Sequence, residues 1–379
     1  MNEKPRPPLC IAGMHRSGTS FLTRMLHFCG LDLGDPRDLM PPQKDNPEGF
    51  WENLQFVRLN DEILQKLGGG WDFPPELAPG WEHDPILEPL VVPAAEVVLG
   101  FPADRPWGWK DPRNSLTLPF WKRLLRGCQV IVCVRNPLDV AASLRKRATS
   151  SEAFSLHLWK TYHESLLRAG PDACIVTHFD ALLAEPEREL ERILRRLDWS
   201  VEPDRLREAA ALVKQGRSAS RSTEFDLKAR GETALLDLYR AFADRAGDTF
   251  QAIRARDRQY SFGEGFYPEN GDWRWMEGSG TVYLDLAEDR EVELKIWCAP
   301  SGHYDRFPFS LGISQDGMEP CRIQVSRPAK VQAVRVRVHR EQPFPAVRLS
   351  SQETFVPARL GVNQDTRRLS LRVGEIGVC

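Results

Sequence analysis

An anion-binding loop stands near the start of the chain, at Gly13-Met-His-Arg-Ser-Gly-Thr-Ser20. The loop follows the apolar run Leu9–Ala12 and opens a helical pattern, so backbone amides and the positive end of a helix dipole converge on one point. Two glycines allow a close backbone approach, and Arg16 supplies a full positive charge. We therefore expect an anion to bind at this loop.

The glycine spacing fits that of the Walker A motif, but one residue type disfavours triphosphate chemistry. Thr19 stands where a lysine should follow the second glycine, and the cation lies three residues earlier, at Arg16. Kinases and ATPases need that lysine to reach the β- and γ-phosphates. A nucleotide kinase is therefore the less favoured alternative for this fold.

A second arginine ends an apolar run much later in the chain. Arg135 closes the strand-like segment Val130–Val134, and Ser143 lies eight residues further on, in a helical pattern that begins near Pro137. Doubly wound folds bind ligands where a strand gives way to a helix. Because a guanidinium can make two hydrogen bonds to phosphate oxygens, the segment predicts a second anion contact.

The segment Trp107-Gly-Trp-Lys-Asp-Pro-Arg113 presents a cation at a strand end. Lys110 is suited to stabilising the charge that develops on a leaving oxygen during group transfer. We expect Asp111 and Arg113 to fix the turn or to pair with each other.

A candidate general base lies in Asn46-Pro-Glu-Gly-Phe-Trp-Glu-Asn53, just before a helical pattern. The segment offers Glu48 and Glu52, and the aromatic residues beside Glu52 should partly desolvate it and raise its pKa. We therefore rank Glu52 above Glu48, with His15 and His178 as weaker candidates.

Taken together, these segments resemble the PAPS-dependent sulfotransferases of the bacterial type. His15–Thr19 is similar to their 5′-phosphosulfate loop, and Arg135 with Ser143 is similar to their 3′-phosphate site. The resemblance implies that the 5′-phosphosulfate is held by the loop residues His15, Arg16, Ser17, Gly18, Thr19 and Ser20. The resemblance implies 3′-phosphoadenosine-5′-phosphosulfate (PAPS) as donor and adenosine 3′,5′-bisphosphate (PAP) as product, without a metal. It implies catalytic roles for residues of three segments, namely Glu52, Lys110 and Arg16.

The resemblance covers roughly residues 8–200 and includes one aromatic position. Phe179 falls where family members place an aromatic residue near the adenine, although a core role fits it equally well. The late Arg-Lys-Gly loop of cytosolic members is missing, and Arg217 and Arg221 lie in the comparable stretch.

The elements that must position these groups alternate between strand and helix up to residue 260. Alternation of this kind predicts an α/β fold, here a P-loop-like parallel sheet with helices on both faces. From residue 261 to 379 the apolar residues recur at period two, which predicts a C-terminal all-β sandwich. We therefore divide the chain into a sulfotransferase domain, 1–260, and an accessory domain, 261–379.

Composition excludes several other classes. The formal net charge is −2, with 27% charged residues, so nothing global points to nucleic acid. No apolar run approaches the ~20 residues of a membrane span, and the polar N-terminus is unlike a signal peptide. The eight cysteines show neither a CxxC pair nor metal-ligand spacing, so we expect a cytoplasmic protein without a metal site.

The chain end, Arg359–Val378, is similar to segments appended to bacterial glycosyltransferases. This similarity favours a carbohydrate or glycoconjugate as the hydroxyl (or amine) acceptor, while a purely structural or dimerising sandwich fits equally well. The alternative from another class is a non-catalytic protein that binds a nucleotide in the α/β part and a glycan in the sandwich.

Overall fold

The computed structural model divides the chain into two compact units: Met1–Ser218 with Thr233–Arg256, and Ala219–Glu232 with Asp257–Cys379. It describes residues 6–378 except 44–48, 103, 126, 148–149, 171–173, 214–221, 256, 258–259, 268–272, 287, 316–317 and 341–344. The division into domains 1–260 and 261–379 stays a prediction.

The first unit is built on a four-stranded parallel sheet with the order β2-β1-β3-β4. Its strands are β1 (Leu9–Ala12), β2 (Gly108–Lys110), β3 (Gln129–Val134) and β4 (Ile175–His178). The central strands β1 and β3 are almost wholly apolar and buried, as expected for a parallel sheet covered on both faces.

Helices cover this sheet within the first unit, and one further helix belongs to the second unit. They are α1 (Thr19–Phe28), α2 (Leu54–Lys66), α3 (Glu88–Leu99), α4 (Asn114–Leu124), α5 (Pro137–Arg147), α6 (Glu152–Arg168), α7 (Phe179–Ala184), α8 (Pro186–Arg196), α9 (Pro203–Ala211), α10 (Glu224–Ala229), α11 (Thr233–Ala243) and α12 (Asp248–Arg254). Of these, α10 belongs to the second unit. One face of the sheet shares a core with α1, α8 and α9, and α4 packs against β1.

Local sequence pattern located most of the elements around the loop. The strand at residues 9–12 and the helix beginning at Pro137 are as predicted. The last strand, β4, continues to His178, which lies opposite Val134 at the end of β3.

The second unit confirms the predicted all-β sandwich. One sheet has the order β10-β9-β12-β7-β5 and the other β11-β8-β13-β6, all paired antiparallel. The strands are β5 (Tyr260–Phe262), β6 (Arg274–Trp275), β7 (Ser279–Leu284), β8 (Arg290–Cys298), β9 (Phe309–Gln315), β10 (Cys321–Val325), β11 (Val331–Val338), β12 (Ala346–Ser351) and β13 (Leu371–Val378). Inward-facing residues of both sheets form a single core.

Candidate functional site

The loop between β1 and α1 leaves the start of the helix open. Gly18 occupies the N-cap position with φ 91° and no side-chain cap, so the first amides of α1 have no partner from a capping side chain. A Cβ at Gly18 would lie 2.4 Å from the ring of Phe179, so only glycine fits this position. The amide of Ser17 donates to the carbonyl of Met14 at 3.1 Å, which leaves the amides of residues 18–20 as the cradle.

The two predicted anion contacts meet at one place. Arg16 has φ 69°, a left-handed conformation that is uncommon outside glycine, and its Nε donates to Ser143 Oγ at 3.0 Å. Arg135 Nη1 donates to the carbonyl oxygen of Arg16 at 3.3 Å, and its guanidinium lies 4.6 Å from the ring centre of Phe179. Residues from α5 and from the end of β3 therefore face the loop at the carboxyl ends of the strands.

A cavity of about 150 Å³ lies at this junction. Its lining residues include three arginines and no carboxylate; they are Arg16, Gly18, Thr19, Ser20, Phe21, Arg24, Gly49, Trp51, Arg135, Ser143 and Phe179. The charge of the lining favours an anion with more than one negative group. The described part of the chain offers no hydrogen-bond partner to the buried Nε of Arg135, as expected for a group that awaits a ligand.

Sequence reasoning missed four of these lining residues, namely Phe21, Arg24, Gly49 and Trp51. Arg24 lies four residues after Ser20, and this spacing places both on one face of α1, a signal that the sequence did contain. Trp51 was taken only as a desolvating neighbour of Glu52, whereas it lines the cavity with φ 63°.

Two of the three predicted catalytic residues, Glu52 and Lys110, form a buried ion pair. Lys110 Nζ lies 2.6 Å from Glu52 Oε1, and their side chains are 1% and 7% exposed. The same ammonium group donates to Ser20 Oγ at 3.0 Å and to the carbonyl oxygen of Phe50 at 3.1 Å. The pair is thereby joined to the anion-binding loop.

Burial raises the pKa of Glu52 above its ordinary value, and the neighbouring Lys110 ammonium opposes that shift. The desolvation expected for Glu52 is therefore present, since only 5% of the residue is exposed. A carboxylate so placed holds a proton more readily than an exposed one.

A buried polar network holds the turn after Lys110. Asn60, which is fully buried, donates to Asp111 Oδ2 at 2.9 Å and to Asn114 Oδ1 at 3.0 Å, and it accepts from Thr117 and Trp121. Arg113 pairs with Asp111 as expected and also with Asp61, at 2.6 Å.

The same segment supports the loop. Ser115 Oγ accepts from the amide of Gly13 at 3.0 Å, and Asn114 donates to the carbonyl oxygen of Ile11 at 3.1 Å. The start of α4 therefore fixes the ends of both β1 and β2.

Several candidates lie apart from the cavity. The His15 ring packs against Trp71, with ring centres 4.8 Å apart, and it does not line the cavity. His178 is buried, stacked on Phe250 and hydrogen-bonded to Tyr239, which fits a structural role. The predictions for Glu48, Arg217 and Arg221 concern residues that lie outside the described part of the chain.

The fold and the site define an α/β protein with a phosphate-type loop at the end of its first strand. A sequence model described as the sulfotransferase family matches residues 7–203, which span both anion contacts and the buried pair. The chain belongs to the sulfotransferase family. No curated protein matches it at the sequence level.

Solved structures of other sulfotransferases are similar to the chain at low identity. One from Alicyclobacillus acidocaldarius is 18% identical, covering 66% of this chain and 97% of that chain, with a TM-score of 0.35. STF1 from Mycobacterium tuberculosis is 16% identical over 62% and 77%, with a TM-score of 0.37. The mouse sulfotransferase SULT7A1, complexed with PAP, is 13% identical over 66% and 89%, with a TM-score of 0.36. Family membership rests on the sequence match.

The described residues lack two further features. Within them, no helix is both long and apolar enough to cross a membrane. The same residues contain no group of three or more His, Cys, Asp or Glu side chains arranged to hold a metal ion.

Proposed function

We propose that the protein transfers a sulfuryl group from PAPS to a hydroxyl of an acceptor and releases PAP. The observation that carries the proposal is the meeting of the Arg16 loop with Arg135 and Ser143 at one arginine-lined cavity. A donor with phosphate groups at both its 5′ and 3′ positions matches two cationic contacts better than ATP does, because ATP has no 3′-phosphate.

The two ends of the donor are assigned to different parts of the site. The open amides of residues 18–20, with Arg16, bind the 5′-phosphosulfate. Arg135 and Ser143 bind the 3′-phosphate, for which the unpartnered Nε of Arg135 is available. Phe179 is engaged by the guanidinium of Arg135, so Trp51 is the better-placed platform for the adenine.

The chain's own residues supply the acid–base and electrostatic parts of the reaction. PAPS contributes an activated sulfuryl group: the acceptor oxygen bonds to sulfur while the bond from sulfur to the phosphate oxygen breaks. Glu52 accepts the proton that the acceptor hydroxyl loses. Lys110, held at Ser20, stabilises the negative charge that develops on the departing phosphate oxygen, as does Arg16.

The contact between Lys110 and Glu52 has a mechanistic consequence. An ammonium 2.6 Å from the base favours the ionised carboxylate, the form that can accept a proton. Burial acts in the other direction and makes the proton transfer thermodynamically easier. The net effect is a raised pKa, so Glu52 is a stronger base than an exposed carboxylate.

We propose a carbohydrate or glycoconjugate acceptor, on the similarity of Arg359–Val378 to segments of glycosyltransferases. A cytoplasmic location, independence from metal ions and nucleic acid, and a homodimeric state remain predictions. The rival nucleotide kinase is opposed by Thr19 in place of the Walker lysine.

The proposal is tested by transfer of radiolabelled sulfate from PAPS to a panel of soluble polysaccharides. Wild-type protein should label at least one acceptor, and Lys110→Met should abolish labelling. The matched control is Arg123→Ala, which removes an arginine that pairs with Glu88 and does not line the cavity. Labelling that survives Lys110→Met, or that requires ATP, would contradict the proposal.

A further inference from the structure

The segment Arg359–Val378 carries two arginines that the structure places over aromatic rings. The guanidinium carbon of Arg367 lies 5.0 Å from the ring centre of Tyr267. That of Arg372 lies 5.6 Å from the ring of Trp275. Both distances are within the range of a cation–π interaction, so both guanidinium groups interact with aromatic side chains.

These groups lie on the outer face of the four-stranded sheet of the second unit. Along β8 the residues alternate, so that Leu294 and Ile296 are buried in the core while Lys295 and Trp297 are half-buried on the other face. In β13, Arg372 is half-buried between core residues in the same way.

The strand register aligns the aromatic and cationic groups in one row. Arg372 is paired with Trp297 of β8 on one side and with Trp275 of β6 on the other. The row continues to Tyr267, whose amide donates to the carbonyl oxygen of Trp275 at 2.9 Å. With strands about 4.8 Å apart, the four residues span about 14 Å.

Ion pairs accompany these rings, and Arg367 itself pairs with Asp365 at 2.8 Å. Arg335 pairs with Glu293 at 3.0 Å, and Lys295 pairs with Glu375 at 2.6 Å. These are ordinary exposed ion pairs, whose charges are neutralised within the sheet. Large aromatic groups on a sheet face next to such pairs are the feature that needs an explanation.

A fourth aromatic group is fitted closely to the same sheet. A Cβ at Gly374 would lie 2.5 Å from the indole of Trp273, so that indole rests directly on the backbone of β13. Half-buried Trp273 and Trp275 alternate with Arg274 along the chain, which places both indoles on one side of β6. Rings supported in this way are rigid, and a rigid ring loses little conformational entropy when it binds a ligand.

We propose that the row Trp297–Arg372–Trp275–Tyr267 is a binding site for an acidic polysaccharide, and we name it the tryptophan–arginine row. Indole faces bind the C–H faces of pyranose rings, and a guanidinium makes paired hydrogen bonds to a sulfate or carboxylate. A linear row about 14 Å long suits an extended chain of sugars better than a single small molecule. The site is independent of the transfer reaction.

The test uses the full chain and heparin as the acidic probe, with dextran as the neutral one, measured by titration calorimetry. Heparin should bind, and dextran should bind at least about tenfold more weakly. Arg372→Gln keeps the indoles and should weaken heparin binding about tenfold, as for a central interface arginine. Trp275→Ala should have a similar effect.

Two control variants separate this site from nonspecific attraction. Lys295→Gln removes a charge from the same sheet face, and Arg188→Ala removes an exposed arginine of the first unit that pairs with Glu185 and does not line the cavity. Neither should change heparin affinity more than about twofold. Thermal unfolding identifies any variant that fails to fold. If Trp275→Ala does not fold, the heparin affinity of Arg372→Gln alone tests the site. Absent heparin binding, equal binding of dextran, or equal losses in Lys295→Gln and Arg372→Gln would each overturn the proposal.

Discussion

The contact between Lys110 and Glu52 makes a specific prediction about stability and activity together. Glu52→Gln leaves the Lys110 ammonium, 1% exposed, with only neutral oxygen partners such as Ser20 Oγ and the Phe50 carbonyl. Breaking a buried pair by removing one partner costs about 3–5 kcal/mol. Lys110→Met should cost a similar amount, because it leaves a buried carboxylate unpaired.

The double variant distinguishes a lost charge from a lost fold. Removing both charges leaves no buried charge without a partner. The double variant Glu52→Gln with Lys110→Met should therefore be more stable than either single variant. It should nevertheless be inactive, since the base and the electrostatic catalyst are both absent. The burial of Glu52 beside Lys110 therefore predicts that Glu52→Gln alone destabilises the fold.

Urea unfolding of the four proteins, followed by tryptophan fluorescence, measures the stability terms. Single-turnover sulfation at saturating PAPS measures activity, and Glu52→Gln should lower it by about 10²–10⁴-fold. The reasoning is refuted if each single variant lowers the free energy of unfolding by less than about 1 kcal/mol, a value typical of exposed ion pairs. It is also refuted if the double variant retains the wild-type rate.

Further predictions concern other parts of the same unit. Arg135→Ala should lower PAP affinity by about 2–4 kcal/mol and remove the preference for PAPS over adenosine 5′-phosphosulfate, as measured by calorimetry; a preserved preference would show that another residue binds the 3′-phosphate. Gly18→Ala should abolish PAP binding, because its Cβ would lie 2.4 Å from the Phe179 ring at a φ of 91°, and unchanged affinity would contradict the loop geometry. Burial lowers the pKa of His163 to about 4, below its ordinary 6.5, so the unfolded chain binds the proton more tightly. Stability should therefore fall by roughly 3 kcal/mol from pH 6.5 to 4, and His163→Phe should lessen that fall in urea titrations.

The activity of the wild-type protein should also depend on pH in a defined direction. Glu52 must be ionised to accept a proton, and burial raises its pKa. The acid limb of kcat/KM should therefore lie at higher pH than the ordinary carboxylate value of about 4.3. An acid limb at or below that value would argue that another group is the base.

Local sequence pattern was sufficient for the elements that carry the site. Glycines, a short apolar run and a following helical pattern located the loop before α1, because these signals arise within a few residues. The end of β3 at Val134, followed by Arg135, was equally clear. The alternation of inward and outward residues in the second unit predicted its sandwich for the same reason.

Contacts between distant residues lay beyond the sequence. Glu52 and Lys110 are 58 residues apart, and nothing local shows that they share one buried contact. Arg16 and Ser143 are 127 residues apart, so their meeting depends on the order of strands in the sheet. The register that aligns Arg372 with its neighbours likewise follows from strand pairing that the sequence does not specify.

The central claim is that the cavity recognises a 3′-phosphate as well as a 5′-phosphate group, and calorimetric titration of the wild-type protein with PAP and with ATP tests it most directly. The contacts of Arg135 predict that PAP binds more tightly by about 2 kcal/mol or more, which corresponds to roughly thirtyfold in affinity. ATP binding as tightly as PAP, or more tightly, would contradict the assignment of this chain as a PAPS-dependent sulfotransferase.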